Sequence, residues 1–118
     1  MEEAQRLYGE SLEITKRLGD QHVVAITLHN LAMLAQGRGE IEEARRLFDE
    51  SLEIKKRLGN QHGVASTLHQ LGRLAEEEGD KEGAARLFRE SLSILERLGS
   101  PNAEIARRSL ARVEGESS

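Results

Sequence analysis

Cysteine is missing from this 118-residue chain, which excludes a disulfide framework and a cysteine-ligated zinc site. Tryptophan is missing as well, and the aromatic share of 3% amounts to Tyr8, Phe48 and Phe88. Basic charge has no excess. The 17 Lys and Arg stand against 21 Asp and Glu, a net charge of −4, so little counterion-releasing surface is offered and no nucleic-acid partner is expected. No run approaches the roughly 18 uninterrupted apolar residues that a membrane span requires. The opening Met-Glu-Glu-Ala-Gln-Arg is too charged for a secretion signal. A cytoplasmic protein without a membrane partner is the resulting expectation. What is present is an ordinary apolar fraction, 37%, enough for one small ordered domain over residues 1–118.

The strongest positive signal is internal repetition. Offset by forty positions, Glu2–Gly39 falls on Glu42–Gly79 with about 25 identities, and Glu10-Ser11-Leu12-Glu13-Ile14 returns unchanged as Glu50-Ser51-Leu52-Glu53-Ile54. A third copy starts at Glu82, keeps Ala84, Leu87, Phe88, Ser91, Leu92 and Ile94, and decays after Gly99. Glycine adds a finer ruler, recurring at Gly19, Gly39, Gly59, Gly79 and Gly99, with the sole proline, Pro101, just beyond. Glycine suits the left-handed residue that closes a helix, and proline suits a first helical turn. The glycines are followed by Asp20, Glu40, Asn60, Asp80 and Ser100, four of them good N-cap types. The punctuation predicts six segments of about 17 residues, each roughly 25 Å long if helical.

Periodicity makes them helices. Leu7, Ser11, Ile14 and Leu18 fall in one row and Ala4, Tyr8 and Leu12 in the next; Val24, Leu28, Leu31 and Ala35 repeat the pattern, with Ala25 and Ala32 beside them. Two adjacent rows make a stripe wide enough to need two neighbours, as in a stacked array. The opposite face carries charges at helical spacing, such as Glu42, Arg46 and Glu50, each pair contributing about 0.2 to 0.5 kcal/mol. They read as a solvated surface.

The letters Ala65-x-x-Leu68-x-x-Leu71-Gly72, then Gly79-Asp80, Ala84, Phe88 and Ser91-Leu92, with Ala25, Leu28, Leu31-Ala32, Gly39, Ala44, Phe48 and Ser51-Leu52 before them, resemble the tetratricopeptide repeat. The forty-residue period is similar to that family's longer-repeat subclass. The resemblance implies an all-α solenoid of antiparallel helix pairs, A then B, stacked in a right-handed superhelix with the A helices lining a concave groove. It also implies close approach of Ala32 or Gly72 to Ala44 or Ala84, with Phe48 and Phe88 filling the space beside them.

In that register residues 1–19 are a B-type helix without its A partner, 20–59 and 60–99 are full pairs, and 100–118 hold a capping helix and tail. The same register sets Arg108 where Leu68 stood and Arg112 where Gly72 stood, while Ala103, Ala106, Leu110 and Val113 keep an apolar row. A polar end cap is the expectation there. The unpaired start suggests an excised or engineered piece of a longer array. Its stripe of Ala4, Tyr8 and Ser11 could alternatively accept the last helix of another copy, giving a head-to-tail or helix-exchanged homo-oligomer.

Chemistry has little to stand on. The sequence shows no nucleophile elbow, phosphate loop or His-Glu-x-x-His, so neither an enzyme nor a cofactor is expected. His22 and His29 lie about 10 Å apart along one helix, too far to share a metal. Their copies His62 and His69 could bring His29 and His69 together across a stack, which duplication alone would also produce. No metal site is expected. Ser11, Ser51 and Ser91 read as small packing residues. By resemblance the ligand-facing positions are Ile26, His29, Asn30, Met33 and Gln36 in one copy and Ser66, His69, Gln70, Arg73 and Glu76 in the next. Asn30 and Gln70 fall where the family often clamps a peptide backbone. Apart from Arg73, the basic residues of the family's carboxylate clamp are missing. The expected role is a scaffold that binds a peptide or helix of a protein partner on the A-helix face.

Overall fold

The computed structural model describes Arg6 and residues 20–117. Among these the regular structure is entirely helical: α1 (Gln21–Gly37), α2 (Ile41–Arg57), α3 (Gln61–Glu77), α4 (Lys81–Arg97) and α5 (Ala103–Ser117). The expected first helix over 1–19, with Ala4, Tyr8 and Ser11, lies outside the described residues except for Arg6.

The glycine punctuation works as a repeated cap. Gly39, Gly59, Gly79 and Gly99 all hold positive φ, between 66° and 83°. After each, the next residue returns its N–H to a carbonyl five residues back, as Asp80 does to Ala75 at 2.9 Å. A side chain beyond glycine would be strained at that turn. At the other ends Asp20 accepts from the Val23 N–H and Asp80 from the Gly83 N–H, satisfying amides that a helix start leaves open. Glu40 makes no side-chain cap. The last helix begins at Ala103, later than Pro101, because Ser100 first organises a turn: its Oγ accepts from the Asn102 N–H and its carbonyl from the Ala103 N–H.

The chain divides into two compact units, Met1–Asn60 and Gln61–Ser118, and the division falls at the junction of two forty-residue copies. In the first, α1 and α2 form an antiparallel hairpin. Val24, Ala25, Leu28, Leu31, Ala32 and Ala35 of α1 are buried, as are Ala44, Phe48, Ser51 and Leu52 of α2. The Ser51 Oγ donates to the Ala25 carbonyl at 2.8 Å.

In the second unit α3 and α4 form the corresponding hairpin, and α5 lies antiparallel to α4 and alongside α3. The Ser91 Oγ donates to the Ala65 carbonyl, again at 2.8 Å. Val113 of α5 packs with Ala75, Ala84, Ala85 and Phe88, while Ala103 and Ala106 pack with Ala65 and Leu95. The apolar row read along α5 is the face it buries; Arg108 and Arg112 are exposed. Among the described residues, ion pairs of Arg107 with Glu96, Arg89 with Glu114 and Arg112 with Glu76 tie α5 to its neighbours.

The recurrent serines therefore do more than fit. Their hydroxyls hold one helix to the backbone of the other, which requires helices close enough for a short side chain to span the gap. Small residues set that distance. A Cβ placed on Gly72 would lie 2.7 Å from the nearest Phe88 ring carbon, whereas Ala32 occupies the corresponding site beside Phe48.

Two stability predictions follow from the seam and are read by chemical denaturation. Ser51→Ala and Ser91→Ala should each cost about 1 kcal/mol. Gly72→Leu should cost at least about 2 kcal/mol by overpacking, while Gly72→Ala should stay within about 1 kcal/mol of the parent. In the alanine variant the ring displacement is offset by better helix propensity.

Candidate functional site

The residues expected to face a ligand lie where the hairpin seam leaves helix surface unused. On α1, Ile26 and Met33 are each 46% exposed, and His29, Asn30 and Gln36 beside them are half-buried. On α3, Ser66 and Arg73 are exposed while His69, Gln70 and Glu76 are half-buried. Each set occupies one face because positions three and four apart align along a helix.

In the second unit the α3 face borders α5 across an open cleft of about 410 Å³, lined by His69, Arg73, Glu76, Glu77, Ile105, Ser109 and Arg112. Three of the five expected residues on α3, His69, Arg73 and Glu76, therefore meet at one place. Ser66 and Gln70 share their helix face but do not line this cleft. Ile105, Ser109, Arg112 and Glu77 were not anticipated there. Counting forty from His69 reaches Ser109, so the repeat period could have found it. In the first unit a cleft of about 350 Å³ lies on other residues of α1 and α2, among them Gln21, Leu28, Glu53 and Arg57.

The α3/α5 cleft is electrostatically organised. Arg112 donates from Nε and a terminal nitrogen to both oxygens of Glu76, at 2.9 and 2.7 Å. These charge-assisted bonds, with Arg112 and Arg73 as nearby cations, hold the Glu76 carboxyl below its usual range. The Nε2 of His69 is 2.9 Å from the Ser109 Oγ, and its ring sits 5.0 Å from that of Phe88 at an interplanar angle of 47°. Burial, reinforced by Arg73 and Arg112 and opposed by Glu76, pushes His69 below its ordinary value. Beside these polar groups Ile105 is 55% exposed. The cleft thus offers an apolar contact, an imidazole and a cation, Arg73, next to an internally paired Arg112 and Glu76.

His29 holds the equivalent place on α1 with a different partner. Its ring meets Phe48 edge to face, 5.2 Å away at 75°, and its Nδ1 lies 3.2 Å from the Nζ of Lys55. Lys55 is only 6% exposed and stands where α4 carries Leu95. Burial first, then the neighbouring ammonium, lowers His29 from 6.5 to about 4; burial also lowers Lys55 from its ordinary value.

A folded-state pKa below the unfolded one means that the folded protein binds fewer protons in acid. The stability linked to His29 is therefore present above about pH 6.5 and lost as pH falls through about 4. Lys55→Met should raise the His29 midpoint, still below 6.5 because burial remains, and should shrink the part of the acid-induced fall in thermal midpoint that His29 causes. A proton NMR titration of the His29 ring and melting curves from about pH 7.5 to 3.5 check both.

Comparison with known proteins agrees with this architecture. The tetratricopeptide repeat model matches residues 1–57 and 23–97. The crystal structure of BtubC (BKLC) from P. vanneervenii superimposes with a TM-score of 0.89 at 25% identity, covering 99% of this chain and 50% of that one. A kinesin light chain candidate from P. anserina with nearly identical TPR-like repeats gives 0.75 at 20% identity, covering 95% of this chain and 56% of that one. The chain thus spans about half the length of the solved structures it matches. No curated protein sequence matches it. The repeated helix pairs, their small-residue seams and the family match together establish that the chain belongs to the tetratricopeptide repeat family.

Proposed function

We propose that this is a non-catalytic interaction module whose helix pairs stack in a right-handed superhelix and whose α1, α3 and α5 faces dock a peptide or helix of a partner protein. Membership of a family that generally mediates protein interactions supports the reading. The observation that carries it is the α3/α5 cleft, where Ile105, Arg73, His69 and Ser109 converge on open space. A docked chain would lay an apolar side chain on Ile105 and place polar groups near Arg73, without separating Arg112 from Glu76. That combination of apolar anchor and polar rim is how peptide-binding surfaces divide affinity from orientation.

Self-association is the second reading. It rests on Ala4, Tyr8 and Ser11, outside the described residues, and no described cleft favours it over a peptide.

Peptides selected from a displayed library against the whole chain provide the test. Ile105→Asp and Arg73→Glu should each weaken the selected peptides about tenfold or more. Arg86→Glu, an exposed change on α4, should leave them unaffected. Loss of binding with Arg86→Glu alone would place docking on the wrong helices and contradict the reading.

A further inference from the structure

His29 and His69 are the same residue at the same position of two copies, each resting on a phenylalanine ring. One difference in their surroundings is that Lys55 of α2 corresponds to Leu95 of α4. Leu95 packs against Ala65, Ala103 and Ala106. Lys55 instead brings its Nζ to within 3.2 Å of the His29 Nδ1.

We infer that Lys55 is a positioning residue: by donating to Nδ1 it fixes His29 as the neutral Nε2–H form, so that α1 presents a hydrogen-bond donor to a carbonyl oxygen of a docked peptide. This rests on the docking reading above.

The chemistry leaves little freedom. An ammonium has donors and no lone pair, so the atom facing it must be an unprotonated ring nitrogen. A neutral imidazole carries one proton, which is then on Nε2. A second proton would put two cations within hydrogen-bonding distance in a half-buried place, and the charge that acts on His29 is that of Lys55. Among the described residues no buried side-chain nitrogen or oxygen lacks a partner. Among the described residues the hydrogen bond of the His29 side chain is at Nδ1, so its Nε2 is not sealed away from solvent.

His29 shares the α1 face with Ile26 and Met33, both exposed. A donor on a face that also carries two exposed apolar side chains matches a peptide strand or helix end that offers a backbone carbonyl flanked by apolar residues. His69, by contrast, uses Nε2 on Ser109, so the ring nitrogen left over is Nδ1. Duplication supplied one histidine twice, and its hydrogen-bond partners engage different ring nitrogens in the two copies.

Long-range proton–nitrogen correlation spectra of the nitrogen-labelled protein at pH 7 read the tautomer directly. The expected result is a single Nε2–H form for His29, an additional Nδ1–H population in Lys55→Met, and the parent pattern restored in Lys55→Arg. A structural role alone would not move this signature. An Nδ1–H form in the parent, or a Lys55→Met spectrum identical to it, overturns the inference and leaves the docking reading intact. If Lys55→Met does not fold, the parent and Lys55→Arg spectra still decide the tautomer. With peptides selected against the parent chain, Lys55→Met should bind at least about fivefold more weakly and Lys55→Arg about equally. Equal binding by all three proteins would overturn the donor role even with the expected tautomer, and so would the failure of every peptide to bind, which would also overturn the docking reading.

Discussion

Close approach of two helix backbones is the constraint from which the rest of this structure follows. In each hairpin a buried serine on the second helix reaches a main-chain carbonyl on the first at the same 2.8 Å. A bulky residue at the crossing would hold the helices too far apart for that contact. Alanine at position 32 and glycine at 72 leave room, and Phe48 and Phe88 take up the space beside them. The seam consumes one side of α1 and of α3. Because a helix turns 3.6 residues at a time, the other side is set free at fixed positions, where Ile26, His29, Arg73 and their neighbours stand.

On that constant frame the two copies diverge where packing does not forbid it. Lys55 against Leu95, and Met33 against Arg73, alter what the free faces present without touching the serine contact. The last helix is held differently. Its buried row of Ala103, Ala106 and Val113 is made of small side chains, and its ion pairs to Glu96, Arg89 and Glu76 lie on exposed or half-exposed groups, where solvent screens them. Those pairs still have a geometric effect, since the grip of Arg112 on Glu76 links α3 to α5 within the cleft that both line.

Much of this was legible in the letters. Period and glycine spacing located the five described helices to within a residue or two, because local rules govern both. The face on which Ile26, His29, Ser66 and Arg73 stand followed from helical geometry and family resemblance together. The serine bonds were not legible: size alone explained Ser51 and Ser91, and a hydroxyl's acceptor depends on a partner helix that the sequence does not place. Lys55 was not legible, because it stands beside Lys56 and Arg57 in a basic last turn and nothing in the letters marks it as the one that is buried. Ile105 escaped because the copies decay after Gly99, and Arg112 because a polar end cap was explanation enough for it.

The most direct measurement of the backbone approach is made on the glycine that permits it. If the Phe88 ring lies against Gly72, proton NMR of the intact chain will show one Gly72 α-proton displaced strongly by the ring current, with cross-relaxation to the Phe88 ring protons. Two Gly72 α-protons at ordinary helical shifts, with no contact to that ring, would mean that the helices stand further apart, and the account of both the seam and the faces it leaves free would fail.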